Sequence, residues 1–89
     1  MIKQLKEKIE ERYNIDLKDT SRRRDVVNGR MAFAKICRDN LRMPYMAIGK
    51  EIGKDHATII HYLKNFEGVC KSDSFFNHNF KELEKDLNI

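Results

Sequence analysis

Apolar residues recur every three or four positions along most of the chain, a spacing that places them on one face of a helix. Ile2, Leu5, Ile9 and Tyr13 predict a first amphipathic helix, ended by Asn14. Ile15 and Leu17 then read as apolar anchors in a connecting stretch, and Thr20-Ser21 before three consecutive arginines reads as a polar loop. A second helix is predicted from about Asp25 to Leu41, with Val26, Val27, Met31, Phe33, Ala34, Ile36, Cys37 and Leu41 on its buried side. Asn28-Gly29 is a hairpin-turn pair in other settings. No alternating strands flank it here, so Gly29 reads as a helix glycine, at a cost of ~1 kcal/mol. Pro44 opens a short third helix that carries Tyr45, Ile48 and Ile52 and ends at Gly53. Asp55 offers an N-cap oxygen to a fourth helix from about His56 to Glu67, with Ile59, Ile60, Leu63 and Phe66 inward and Gly68 as its stop. A last helix carries Phe76, Phe80, Leu83 and Leu87. No segment alternates as a strand does. The expected class is therefore all-α, a single domain of five or six helices over residues 1–89.

Composition narrows the picture. Eighty-nine residues with one Pro and four Gly leave few helix breakers, and 40% hydrophobic residues suffice for a modest core. The length excludes a two-domain enzyme built on a cofactor fold. No apolar run approaches the ~18 residues of a membrane-spanning helix. The N-terminus lacks the apolar stretch of a signal peptide, and two cysteines do not make a disulfide framework. These features predict a cytoplasmic protein. The net charge of +4 is unevenly spread. Residues 1–19 hold five basic and five acidic side chains, residues 20–64 hold ten against four, and residues 65–89 hold three against five. The excess of positive charge lies wholly in the middle, where a nucleic-acid partner would leave its footprint.

A short helix, a glycine turn and a second helix make a helix-turn-helix candidate at about 45–67, whose second helix would present its N-terminal residues to base edges in the major groove. The outward positions there are His56, Ala57, His61 and Lys64, with Thr58 partly turned to the same side. A hydroxyl bonds a base or a phosphate, an alanine methyl packs on a thymine methyl, and an imidazole donates to either.

The segment Ile48-Gly49-Lys50-Glu51-Ile52-Gly53-Lys54-Asp55-His56-Ala57-Thr58-Ile59-Ile60-His61 resembles the signature of the C-terminal DNA-binding domain of the bacterial replication initiator DnaA. Upstream, Arg22-Arg23-Arg24-Asp25-Val26-Val27-Asn28-Gly29-Arg30 is similar to that family's basic loop (here 20–25) and to the arginine of the following helix. Ile36-Cys37-Arg38-Asp39 falls where many members have Leu-Cys-Arg-Glu. The resemblance covers nearly the whole chain. It implies a Trp-repressor-like helical fold and sequence-specific binding of double-stranded DNA, with Arg22 in the minor groove. Asp55, His56 and Thr58 match residues that read bases or the adjacent backbone, and Arg38 and His61 match phosphate contacts. The expected DNA-binding set is Arg22, Arg23, Arg24, Arg30, Arg38, Lys54, Asp55, His56, Ala57, Thr58, His61 and Lys64. Two substitutions alter the chemistry: Gly53-Lys54 stands where the family has Gly-Gly-Arg, and Ala57 where it has Thr or Ser. Lysine lacks the bidentate fork of arginine.

The initiator's ATPase module is absent from these residues, which leaves either an excised domain or a free-standing small protein; the opening Met1 favours the second, for example in a bacteriophage or mobile element, acting at the nucleoid of a bacterial host. Gly49-x-x-x-Gly53-Lys54-Asp55 has three intervening residues where a P-loop needs four, and Asp where Ser or Thr must hold magnesium, so no nucleotide is expected. His56 and His61 lie five apart and do not share a face as a metal pair would, and Cys37 sits on an apolar face. Neither a metal, nor a cofactor, nor catalysis is expected. Met31, Met43, Met46, Tyr62, Phe75, Phe76 and Phe80 read as packing residues, with the last helix as the surface for any protein partner. The alternatives to origin recognition are a transcription regulator on the same fold and a protein-interaction module.

Overall fold

In the computed structural model, which describes residues 2–89, the first helix ends where its sequence lets the chain turn left. Helix α1 (Ile2–Tyr13) buries Leu5 and Ile9. Asn14 follows at φ 55°, the left-handed region that asparagine tolerates better than most residues, and the Ile15 amide closes the turn on the Glu10 carbonyl at 3.1 Å. The Leu17 amide donates to the Glu10 carboxylate at 2.9 Å, and the Leu17 side chain is fully buried. From there, side-chain oxygens hold the connecting stretch in short turns. Asp16 accepts from the Lys18 amide, Asp19 from the Ser21 amide and Ser21 from the Arg23 amide, each two residues on. The basic loop is thus shaped by its own Asp and Ser residues.

Helix α2 (Arg24–Asp39) is the centre of the molecule and touches α1, α3 and α4. Its buried side includes Val26, Met31, Ala32, Phe33, Ala34, Ile36 and Cys37. Ile15 reaches across Gly29 so closely that its Cδ1 lies 2.1 Å from where a Cβ would stand. The helix stops at Asp39, two residues earlier than its apolar pattern suggests. Beyond it, the Met43 amide bonds back to the Cys37 carbonyl at 3.1 Å and Arg42 adopts φ 53°, so Leu41 packs on the core from a turn. Helices α3 (Tyr45–Ile52), α4 (His56–Ser72) and α5 (Ser74–Asp86) complete five helices among the described residues, with no strand. The all-α expectation is borne out.

Several local expectations are corrected. Gly68 does not end α4. It lies exposed inside the helix, which runs on to Ser72 because Val69 and Cys70 are half-buried against the core. The stop is Asp73, whose carboxylate caps α5 by accepting from the Phe76 amide at 3.0 Å. Phe75 does not hold α5 to the bundle: it is 77% exposed, while Phe76 and Phe80 pack edge-on to Phe66 at centroid distances of 5.7 and 4.8 Å. Met46 is 66% exposed and is not part of the core. Val27, Ile60 and Leu63, expected on the inward sides of their helices, are half-buried, with Val27 and Leu63 packed against the core. The far end of α5 is tied to α1 by Arg12, which donates to Asn79 at 2.9 Å and pairs with Asp86.

Candidate nucleic-acid interface

Helices α3 and α4 and the turn between them carry the helix-turn-helix of the central segment. Ile48 and Ile52 of α3 and Ile59 and Tyr62 of α4 are buried and fix how the two helices sit on α2. Gly53 closes α3 at φ 69°, ψ 36°, a left-handed cap that glycine adopts without strain. Its amide and that of Lys54 (2.9 Å) both reach the Gly49 carbonyl. The chain then doubles back so tightly that a Cβ on Gly49 would stand 2.2 Å from the Lys54 carbonyl oxygen. Only glycine at 49 permits that approach. This turn joins two helices, whereas a phosphate-binding P-loop joins a strand to a helix.

Asp55 opens α4 from extended backbone and accepts the Thr58 amide at 2.8 Å. That bond, followed by the Thr58 side chain, holds the Asp55 carboxylate below the ordinary aspartate range despite some opposing desolvation. A depressed pKa in the folded state means that the cap's contribution is present above the ordinary aspartate range. It is lost as pH falls through the lowered value. Asp55→Asn keeps an acceptor oxygen without a charge, so its melting temperature should fall less steeply with acidification than that of the unaltered protein. Thermal melts between pH 6 and 2 test this, and parallel curves would contradict it.

Past the cap, His56, Ala57, His61 and Lys64 are exposed on α4, and Lys54 and Thr58 are half-exposed beside them. The structure thus brings together the α4 set expected from the sequence. His61 is not isolated: the Asn65 amide Nδ2 lies 3.0 Å from its Nε2 one turn on, which orients the ring. Arg22, Arg23 and Arg24 are exposed at the start of α2. Arg38 lies fourteen residues beyond Arg24, about 21 Å along the helix at its usual rise. The two groups therefore occupy opposite ends of α2 and could not serve one local pocket. Arg38 is also restrained. Its guanidinium stacks 4.4 Å from the Tyr45 ring centroid and donates to the Met43 carbonyl at 3.1 Å, pinning the turn that leads into α3. Arg30 stands apart from the rest, buried at 2% exposure.

Charge pairing sharpens the footprint. Of the four acidic residues in 20–64, Asp25 faces Arg23, Asp39 pairs with Lys35 at 3.0 Å, Glu51 pairs with Lys6 of α1 at 2.7 Å, and Asp55 caps α4. Arg22, Arg24, Arg42, Lys50, Lys54 and Lys64 have no ion-pair partner among the described residues. Sequence reasoning passed over Arg42, Lys50, Tyr45 and Asn65. The first two needed the ion-pair map, and the others needed the spatial contacts. Burial and the nearby Glu51 charge push the Cys37 thiol up to about 12, the state of a packing cysteine rather than a nucleophile. No group of three or more potential metal ligands converges among the described residues. No helix there is long and apolar enough to cross a membrane.

The family model described as the bacterial DnaA protein helix-turn-helix matches residues 2–65. The chain belongs to that family. Chromosomal replication initiator protein DnaA of Thermoanaerobacter sp. (strain X514) is 29% identical over 89 residues, which cover 97% of this chain and 20% of that protein. The DnaA of Geobacter sulfurreducens is 36% identical over 73 residues, 81% of this chain and 16% of its own length. That of Bacteroides fragilis is 35% identical over 65 residues, 72% of this chain and 14% of its own. The chain spans about a fifth or less of these relatives. No solved structure matches it significantly. Membership makes this DnaA-type domain a DNA-binding helix-turn-helix module, not a catalytic one.

Proposed function

We propose that this DnaA-type domain binds duplex DNA in a sequence-specific manner, of the kind that recognises a replication origin. The N-terminal end of α4 lies in the major groove, with Asp55, His56, Ala57 and Thr58 at the bases or the backbone beside them. Arg22 of the basic loop enters the minor groove, flanked by Arg23 and Arg24. Arg38, His61, Lys54 and Lys64 meet phosphates on either side, and Arg30 of α2 belongs to the same DNA-binding set. The observation that carries this reading is the capped and uncovered start of α4, set among cations that no carboxylate neutralises. Helix-turn-helix proteins present this end of the recognition helix to base edges. A narrow A·T-rich minor groove concentrates negative potential and draws in arginine. The relatives' name, chromosomal replication initiator, favours an origin over a promoter as the target. One copy of the domain occupies each site, and any protein partner docks through α5.

Selection from a randomised duplex library tests the reading, followed by titration of the enriched duplex at several salt concentrations. One enriched sequence is expected, bound with an affinity that falls steeply as salt rises. No enrichment together with salt-insensitive binding would refute it. At residue level, Arg22→Ala and His56→Ala should each weaken specific binding by about 1–3 kcal/mol, roughly tenfold to a hundredfold. Both side chains are exposed, so melting temperatures should stay near that of the unaltered protein. Loss of stability with binding intact would reassign them as structural.

A further inference from the structure

Phe75 is the most exposed large hydrophobic side chain among the described residues, at 77%, and it stands in the first turn of α5. It is outside the ring cluster of Phe66, Phe76 and Phe80. An aromatic left in water contributes nothing to the core, and a matching apolar surface that covered it would be favoured. Lys71 and Lys81, four residues before it and six after, are exposed and have no ion-pair partner among the described residues. Between them, the Asp73 carboxylate is engaged by the Phe76 amide at 3.0 Å.

A matching surface lies at the other end of α5. Leu5 of α1, Ile36 of α2, Leu41, Leu87 and Ile89 wall an open hollow of about 150 Å³. A cavity of roughly that volume walled by aliphatic side chains takes up benzene, so a phenyl ring fits this one. The depression beside it shares Gln4 and Leu87 with the hollow and carries three carboxylates, Glu7, Glu11 and Asp86, against one cation, Lys8. Asp86 pairs with Arg12, whereas Glu7 and Glu11 have no ion-pair partner among the described residues. The rim of the hollow is therefore acidic.

We infer that the Phe75 ring of one copy seats in this hollow of a second copy, joining domains head to tail. The ring matches the hollow in size and in its apolar character. Docking also brings the cations Lys71 and Lys81 to the rim that holds Glu7 and Glu11, so the charges complement each other. On one copy Phe75 and Leu87 are twelve residues apart, about 18 Å along α5 at the usual helical rise. The ring and the hollow are thus different surfaces, and a contact between different surfaces repeats from copy to copy instead of closing on itself. The recognition end stays uncovered, because Phe75 follows Ser72, the far end of α4, sixteen residues and about 24 Å from His56. The contact belongs to the free protein and does not depend on the DNA-binding reading above.

Sedimentation equilibrium of the full chain without DNA, from micromolar to millimolar concentration, tests this. The average mass of the unaltered protein should climb past that of two chains as concentration rises. Phe75→Ser, which removes the ring, and Ile89→Lys, which sets a cation in the hollow, should each weaken association roughly tenfold or more. Both positions are exposed, so each variant should stay folded, as thermal melts will show. An equal mixture of the two variants should associate again but stop at two chains, since one intact ring then meets one intact hollow. Glu11→Lys, a second change on the side of the hollow, should weaken association about threefold by reversing a rim charge. An unaltered protein that stays monomeric at millimolar concentration would leave the hollow to another kind of partner and overturn the inference. Association that Phe75→Ser or Ile89→Lys leaves unchanged overturns it too, as does a mixture that stays monomeric. An unaltered protein that stops at two chains forms a closed pair, which also overturns the head-to-tail contact.

Discussion

Gly49→Ala should destabilise the domain by about 3 kcal/mol and abolish duplex binding. The added Cβ would stand 2.2 Å from the Lys54 carbonyl oxygen and 3.2 Å from the carbon that bears it, and both are backbone atoms. A flexible side chain could swing away, but this carbonyl sits in a turn closed by two amides on the Gly49 carbonyl itself. Relief requires α3 and α4 to separate, which opens the contacts of Ile48, Ile52 and Ile59 and moves the start of the recognition helix. The effect is large against the roughly 5–15 kcal/mol that holds a domain together.

The other glycines of this region provide internal controls. Around Gly53 the space is open, but φ is +69°, so Gly53→Ala should cost about 1 kcal/mol through backbone strain alone. Gly68 is exposed in the interior of α4 with nothing within 4 Å of its would-be Cβ. Gly68→Ala should therefore stabilise the domain by about 1 kcal/mol, the difference in helix propensity. Denaturant titration of the three variants reads the series directly. An unaffected Gly49→Ala would mean that the turn tolerates a wider approach, and a destabilised Gly68→Ala would mean that α4 ends at Gly68 after all.

Phe66→Ala should cost about 3–5 kcal/mol and lower the melting temperature by more than ~12 °C, given the enthalpy typical of a domain this size. Phe66 joins α5 to the rest of the molecule. Its ring meets Phe76 and Phe80 edge-on, and the Lys35 ammonium lies over it 5.2 Å from the centroid. Truncation leaves a void where three rings converge, and those rings anchor α5. The Arg12 contacts to Asn79 and Asp86 lie near the surface and cannot replace a buried aromatic cluster. Hydrogen exchange in Phe66→Ala should be fastest along α5, with α2 protected longest. Phe75→Ser, at an exposed site one residue from Phe76, should melt within a degree or two of the unaltered protein. Uniform loss of protection throughout the chain would show that α5 is not a separable layer.

Much of this could be read from the residues before any coordinates. Apolar spacing identified each helix, since a face three or four residues in period has few other ways to be buried. Asn14, Gly53 and Asp55 marked ends because each solves a specific backbone problem: a left-handed turn in the first two, a free amide in the third. The α4 surface set was legible for the same reason, as the outward side of a helix whose inward side is Ile59, Tyr62 and Phe66. Gly68 misled because its propensity acts locally, whereas Val69 and Cys70 gain burial from contacts that no window of sequence contains. Phe75 misled because two adjacent phenylalanines on a helix cannot both face the core, and the packing chose Phe76 and Phe80.

What the chain by itself determined was the number and kind of its elements, the place of the glycine turn and the stretch of surplus positive charge. These follow from chemistry between residues close in sequence. The tertiary structure alone decided which charges are free and which are spent. Lys6 reaches Glu51 across 45 positions and Arg12 reaches Asp86, while Arg22, Arg24, Lys54 and Lys64 have no ion-pair partner among the described residues. It also decided that Arg30, one basic residue among ten in the central segment, lies inside without a partner. Coulomb attraction and burial depend on distance in space, and that distance is set only when the helices pack.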